Sequence, residues 1–307
     1  MIVSFYFLCY NIIYLYKECK MKQGEAGQSL LFLFDEYWWA LFMIVFLALM
    51  LSAFTHRKKP HCEGDRVLRH DIPARVSHWF NAFGILILIF TGFMLGFLFF
   101  PRQVAYTEGA QLMFNLHFIG AMMFLFGAVY WVGNTFLYPR RLEEHAPYLG
   151  SIKDAIIHYA SMAGLTRNKE RPVGKYEASE RLAFVPLTLL ALFMGVTGLI
   201  KVSAHIWHVP QGLLTFATWT HDWSTIILTL LVLIHIILAA VVPWAWPLFR
   251  SMIDGYISVD FVKSHHKGWY KELTEEGLCP QEDSSKDGDK TEEAKEVQPE
   301  KGENDAV

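Results

Sequence analysis

Residues 221–246 run HDWSTIILTLLVLIHIILAAVVPWAW, and Asp222 is the only formally charged side chain among them. An uninterrupted apolar stretch of this length reads as a membrane-spanning helix. It carries two histidines, His221 and His235, where an ionisable group is costly and usually faces the bundle interior with a function. Fourteen positions separate them, about 21 Å along a helix and roughly 40° short of four full turns. The two therefore share a face.

Three more spans of the same kind precede it. They cover residues 77–100 (SHWFNAFGILILIFTGFMLGFLFF), Leu112–Leu137 and Leu182–Val202. A fifth candidate runs from Leu30 to Phe54, with Asp35 and Glu36 near its start and Trp38–Trp39 behind them as an interfacial belt. The pattern predicts an all-α integral membrane protein, a four-helix transmembrane bundle with at least one extra N-terminal transmembrane helix. Residues 1–16 (MIVSFYFLCYNIIYLY) are apolar but short. A further span, an atypical signal peptide and a true start at Met21 are all open readings. The expected organisation is a signal-like or membrane segment over 1–21, an additional helix over 29–56, a membrane domain over 69–273 and a disordered acidic tail over 280–307.

Composition agrees. Of 307 residues 53% are hydrophobic and only 19% charged, with ten Trp and 24 Phe, at a mean hydropathy of +0.25. Five spans use roughly 100–125 residues. What remains is too little for a large soluble domain, so substrate chemistry is expected on another chain. A net charge of −3 gives no basic footprint for nucleic acid. Cys9, Cys19, Cys62 and Cys279 form no Cys-x-x-Cys pattern. An iron–sulfur cluster, a covalently attached c-type haem and disulfide scaffolding are therefore not expected.

Basic residues set the orientation. Arg57–Arg75, the segment from Arg140 to Arg181, and the residues after Arg250 are rich in Lys and Arg, whereas the alternate loops carry only Arg102 and Lys201. The basic loops and the C-terminus are therefore expected on the cytoplasmic side. Residues 148–166 place Ile152, Ala155, Ile156, Tyr159 and Met162 at helical spacing, as in an amphipathic helix on the cytoplasmic surface or against the bundle. No internal repeat is apparent.

Four histidines fall within apolar helices: His78, His117, His221 and His235. A lone one would read as a polar group bonded between helices. Together their depths pair. His117 and His221 share the outer level, and His78 and His235 the inner level. Two bis-histidine sites stacked on one bundle point to two b-type haems. Zinc fits less well, because two ligands per level are too few. Gly92 would let a macrocycle approach, though Gly92-x-x-x-Gly96 equally suits helix packing. Arg75, one turn before His78, is a candidate partner for a haem propionate and equally a positive-inside anchor. His70, His145, His158, His205 and His208 lie in loops or surface helices and read as structural.

The stretch from Arg69 to Leu273 resembles the membrane cytochrome b (gamma) subunit of respiratory formate dehydrogenase. The resemblance rests on RVSHW at 75–79, FTG at 90–92, LHFIG at 116–120, GKY at 174–176, VTG at 196–198, the spacing of His221 and His235, and HHKGWYKE at 265–272. It implies two haems b, an outer one on His117 and His221 and an inner one on His78 and His235. It also implies an iron–sulfur subunit and a molybdenum or tungsten catalytic subunit as partners. Menaquinone or ubiquinone would be reduced near Lys175, Tyr176 and Glu177 on the cytoplasmic side. The chain departs from the family at Glu177, where an Asn is common; Glu177 is a candidate for proton uptake, or simply a solvated helix start. Related cytochromes serve hydrogenases and thiosulfate or polysulfide reductases. From another class, a transporter would use the histidines as a proton or metal path, but repeated halves and broken helices are not seen. A haem-free anchor would have little use for four such histidines.

Overall fold

A computed structural model of the chain describes residues 32–55, 57–96, 107–137, 140–162, 164–166 and 173–280. The expectations for residues 1–21 and for the acidic tail beyond Pro280 lie outside the described residues.

Four helices are long and apolar enough to cross a membrane: α3 (Ile72–Gly96), α4 (Thr107–Leu137), α7 (Ala178–Ser203) and α8 (Gln211–Ile236). Each matches an expected span but begins earlier. The largest difference is in α8, which starts after Pro210 rather than at His221. Its polar first turns stay helical because threonine hydroxyls bond back into the helix, as Thr220 Oγ1 does to the Phe216 carbonyl at 2.7 Å. His221 thus lies three turns inside α8. It sits as far from Gln211 as His117 does from Thr107 at the start of α4.

The chain divides into two compact units. The first combines the segment up to Leu51 with Ser77–Tyr130 and Leu190–Thr229. Here α3 and α4 meet through glycines. A Cβ at Gly84 would stand 2.6 Å from the Phe124 amide nitrogen, and one at Gly127 would stand 2.7 Å from Asn81 Oδ1. No side chain fits at that separation. By contrast, nothing lies within 4 Å of a Cβ at Gly96. The packing seam is therefore Gly84, Gly120 and Gly127, not Gly92-x-x-x-Gly96.

Ahead of α3 lie α1 (Leu33–Tyr37) and α2 (Ala40–Phe54). The two tryptophans of the expected belt form the turn between them. α2 has 15 residues, about 22 Å of helix, short of the ~30 Å hydrocarbon core. A fifth full crossing is thus not established. Nor does this segment stand apart. The Leu33 amide donates to Asn115 Oδ1 at 2.8 Å, Asp35 pairs with His205 at 3.5 Å, and the buried Phe34 ring packs on His205.

The second unit holds Ser52–Val76, Trp131–Leu189 and the chain from Leu230 onward. It contains α5 (Arg140–His145) and α6 (Ser151–Met162). Ile152, Ile156 and Tyr159 on α6 are exposed, so this apolar stripe is not packed into protein and suits a membrane surface. A small antiparallel sheet, unannounced by the sequence, joins β1 (Cys62–Glu63), β2 (Arg66–Leu68) and β3 (Tyr256–Ser258). Against it pack α9 (Trp246–Asp254), α10 (Val259–His265) and α11 (Lys267–Glu275). Val67, Ile257, Val262, Trp269 and Leu273 form its core. Gly255 ends α9 at φ 97°, and a Cβ there would also meet the His70 carbonyl at 2.8 Å.

One expectation is overturned here. Cys62 and Cys279 form a disulfide, with Cα atoms 5.0 Å apart across a sequence separation of 217. Spacing could not reveal it, because the contact is made by the fold: the Cys62 amide donates to the Leu278 carbonyl at 2.9 Å.

Candidate functional site

Two partly buried imidazoles lie close together in the first unit. The ring centres of His117 on α4 and His221 on α8 are 6.5 Å apart, with planes at 62°. Each is held by a threonine on a neighbouring helix. Thr91 Oγ1 lies 2.8 Å from His117 Nδ1, and Thr197 Oγ1 lies 2.9 Å from His221 Nδ1. The threonine hydrogens are already committed, since Thr91 donates to the Ile87 carbonyl at 2.7 Å and Thr197 to the Phe193 carbonyl at 3.0 Å. Each threonine oxygen must then accept from Nδ1–H. That fixes the tautomer and leaves Nε2 of both rings with its lone pair, the state that ligates a metal.

A glycine follows each threonine. Gly92 would place a Cβ 3.8 Å from His117 Cε1, and Gly198 one 3.4 Å from His221 Cε1. The FTG and VTG motifs are therefore the same arrangement used twice: the threonine holds the histidine of the next helix, and the glycine lies beside that ring. The sequence marked both motifs but not this role.

His78 and His235 fall in different units, His78 on α3 and His235 in the last turn of α8. Their pairing remains an expectation of the sequence. Arg75 donates Nη1 to the Ile253 carbonyl at 2.6 Å, so its charge caps the end of α9.

The remaining candidates, Lys175, Tyr176 and Glu177, lie on a clamped loop of the second unit. Arg69, with a side chain only 1% exposed, donates Nη2 to the Lys175 carbonyl at 3.0 Å and pairs with Glu180 at 3.3 Å. His266 Nδ1 donates to the Gly174 carbonyl at 2.8 Å, and the Trp269 amide donates to the Val173 carbonyl at 3.2 Å. The HHKGWYKE motif is thus the clamp of the GKY motif. Tyr176 sits among His145 (4.4 Å between ring centres), His70 (6.0 Å) and the Arg69 guanidinium (5.4 Å). Lys175 pairs with Glu144 at 2.8 Å and Glu177 with His158 at 3.5 Å. Sequence reading left His70, His145 and His158 as separate structural residues; only the folded loop collects them. The Glu180 carboxylate lies close enough to His235 to act on it electrostatically.

Burial, reinforced by the Arg69 charge, lowers the His266 imidazole from 6.5 to about 4. Between those values the unfolded chain binds the proton and the folded chain does not. The stabilisation is therefore complete above pH 6.5 and is lost as pH falls toward about 4. Its ceiling is on the order of 3 kcal/mol. Hydrogen exchange over α10 and α11 is expected to accelerate through this range, and His266→Asn is expected to flatten the dependence.

Four membrane-capable helices with a partly buried imidazole pair held by threonines define a multi-pass membrane protein of cytochrome b type. The chain belongs to the prokaryotic cytochrome b561 family, whose profile matches residues 69–255. It is 28% identical over 219 residues to the formate dehydrogenase cytochrome b556 subunit of Haemophilus influenzae, covering 67% of this chain and 83% of that one. It is 24% identical over 220 residues to the formate dehydrogenase cytochrome b556(fdo) subunit of Escherichia coli, covering 68% and 94%. It is also 31% identical over 157 residues to a probable Ni/Fe-hydrogenase B-type cytochrome subunit of Rhizobium leguminosarum, covering 48% and 64%.

Membership implies haem b, and the residues fit it. The two rings stand 6.5 Å apart centre to centre, and each has its Nδ1 held by a threonine, so two imidazole nitrogens would be available to hold the group. Among the described residues no group of three or more His, Cys, Asp or Glu gathers to hold a bare ion. Two imidazoles suit a macrocycle that supplies the other four ligands itself.

Proposed function

We propose that the chain is the dihaem cytochrome b subunit of a respiratory formate dehydrogenase-type complex of the bacterial inner membrane, with its C-terminus in the cytoplasm. Haem iron supplies one-electron transfer between its ferric and ferrous states. In this reading His117 and His221 hold the outer haem, and His78 and His235 hold the inner one. With two histidines holding each haem, the sites would be confined to electron transfer rather than chemistry on a bound substrate. Electrons would come from an iron–sulfur subunit, itself served by a molybdenum or tungsten catalytic subunit. They would leave to menaquinone or ubiquinone beside Lys175, Tyr176 and Glu177. Arg69 and His266 hold the backbone of that loop through the Lys175 and Gly174 carbonyls.

The observation that carries this reading is the His117–His221 pair, with both Nδ1 atoms tied to threonine and both Nε2 atoms left for iron. The likeness to the Rhizobium leguminosarum protein supports a second reading, the cytochrome subunit of a hydrogenase. The purified protein is expected to show a reducible b-type spectrum with about two haems per chain. A well-folded preparation without a Soret band would overturn both readings. Subunits that co-purify with the chain, identified by mass spectrometry, separate the first reading from the second.

A further inference from the structure

We propose that His158 and Glu177 form a proton-exchanging pair at the quinone site; this rests on the reading above. Their side chains meet at 3.5 Å and are 21% and 22% exposed, so both touch water yet sit in the second unit's polar cluster. They come from different elements. His158 lies on α6, whose apolar residues Ile152, Ile156 and Tyr159 suit a membrane surface. Glu177 is the residue just before α7.

A capping role does not account for Glu177. A short side chain is favoured at that position, and the Glu177 amide is already satisfied by Glu180 Oε2 at 2.8 Å. The Glu177 carboxylate turns to His158 instead, with Ser179 Oγ 3.5 Å away. Nor does stability explain the pair, since partly exposed ion pairs contribute little. What the pairing does provide is an imidazole, the side chain that titrates near neutrality, in hydrogen-exchange range of a carboxylate.

The surrounding charges are otherwise engaged. Lys175 is paired with Glu144, Glu180 is held by Arg69, and Arg181 reaches the Ala146 carbonyl at 3.1 Å. The Tyr176 phenol stands between His70 and His145, and His266 bonds the Gly174 carbonyl. Of the carboxylates on this loop, Glu180 answers a guanidinium and Glu177 answers a histidine.

Reducing a quinone takes two electrons and two protons, and each carbonyl oxygen becomes a hydroxyl. The pair would hand a proton to the quinone oxygen and regain one from water. In reverse, a quinol would give two protons to the pair and water, and one electron to each of two ferric haems.

The purified dihaem protein, mixed rapidly with duroquinol, tests this through the rate of haem reduction across neutral pH. Glu177→Gln and His158→Gln are each expected to slow reduction at least about tenfold and to flatten the pH profile, with haem content unchanged. Glu177→Asp is expected to restore much of the rate. A Glu177→Gln protein with the parental rate at every pH would overturn the pair while leaving the quinone reading standing. Parental protein whose haems duroquinol cannot reduce would overturn the quinone reading itself.

Discussion

Replacing His221 with alanine is expected to remove one of two haems and leave the other. The loss should be complete rather than graded. A haem b has no covalent bond to the chain, and in the proposed reading two imidazoles from different helices, α4 and α8, would share the task at this level. Deleting one would remove half of that hold and open space beside Gly198, whose Cβ position is 3.4 Å from the lost ring. His117→Ala should give the same spectrum as His221→Ala. His78→Ala and His235→Ala should each remove the other haem. Haem content per chain and reduced-minus-oxidised spectra read the result directly. Should the His117 and His221 variants keep both haems, the ligand assignment fails. Thr197→Val is the finer control. It keeps the volume and the ring but removes the acceptor that fixes Nδ1–H, a change that typically weakens metal affinity by about 10–100-fold. The haem should therefore be retained at saturating supply and lost on dilution.

What the sequence made legible follows from the range of each interaction. The four spans could be read because the bilayer imposes a length and a polarity on contiguous residues. Their starts could not, because a residue such as Thr220 looks polar in a string of letters, whereas in the helix its hydroxyl bonds to the Phe216 carbonyl one turn back. Placing His221 at the mouth of its helix was the resulting error of depth. The structure nonetheless brings His117 and His221 near each other, with ring centres 6.5 Å apart and each ten residues into its helix. Thr91 and Thr197 were visible as motifs, yet their work depends on a ring twenty-odd residues away on another helix. The clamp on the GKY loop was less legible still. Arg69, Lys175 and His266 meet across roughly a hundred residues at each step, and no periodicity encodes such a contact.

The disulfide poses the sharpest conflict, because two features of the second unit disagree about the side of the membrane it faces. Arg57, Lys58, Lys59, Arg66, Arg69 and Arg75 draw it to the cytoplasm, whereas a disulfide belongs in an oxidising compartment. Charge should win. It acts while the helices insert, before Cys62 and Cys279 are brought together by the sheet and α11. The bond is therefore expected to be open in the growing cell and to close during purification in air. Cells quenched in acid, denatured and alkylated should yield both cysteine peptides labelled, and air-purified protein should yield neither. Both peptides unlabelled from the cells would reverse the orientation. Closing the bond should matter to the unit. Loop entropy for a separation of 217 residues would give about 5 kcal/mol in a fully unfolded chain. The spanning helices remain inserted when the unit opens, so less chain is freed and about 2–4 kcal/mol is the expected gain. Cys279→Ser is expected to forfeit that gain, seen as faster proteolysis of α10 and α11 in oxidised protein and no change under reducing conditions.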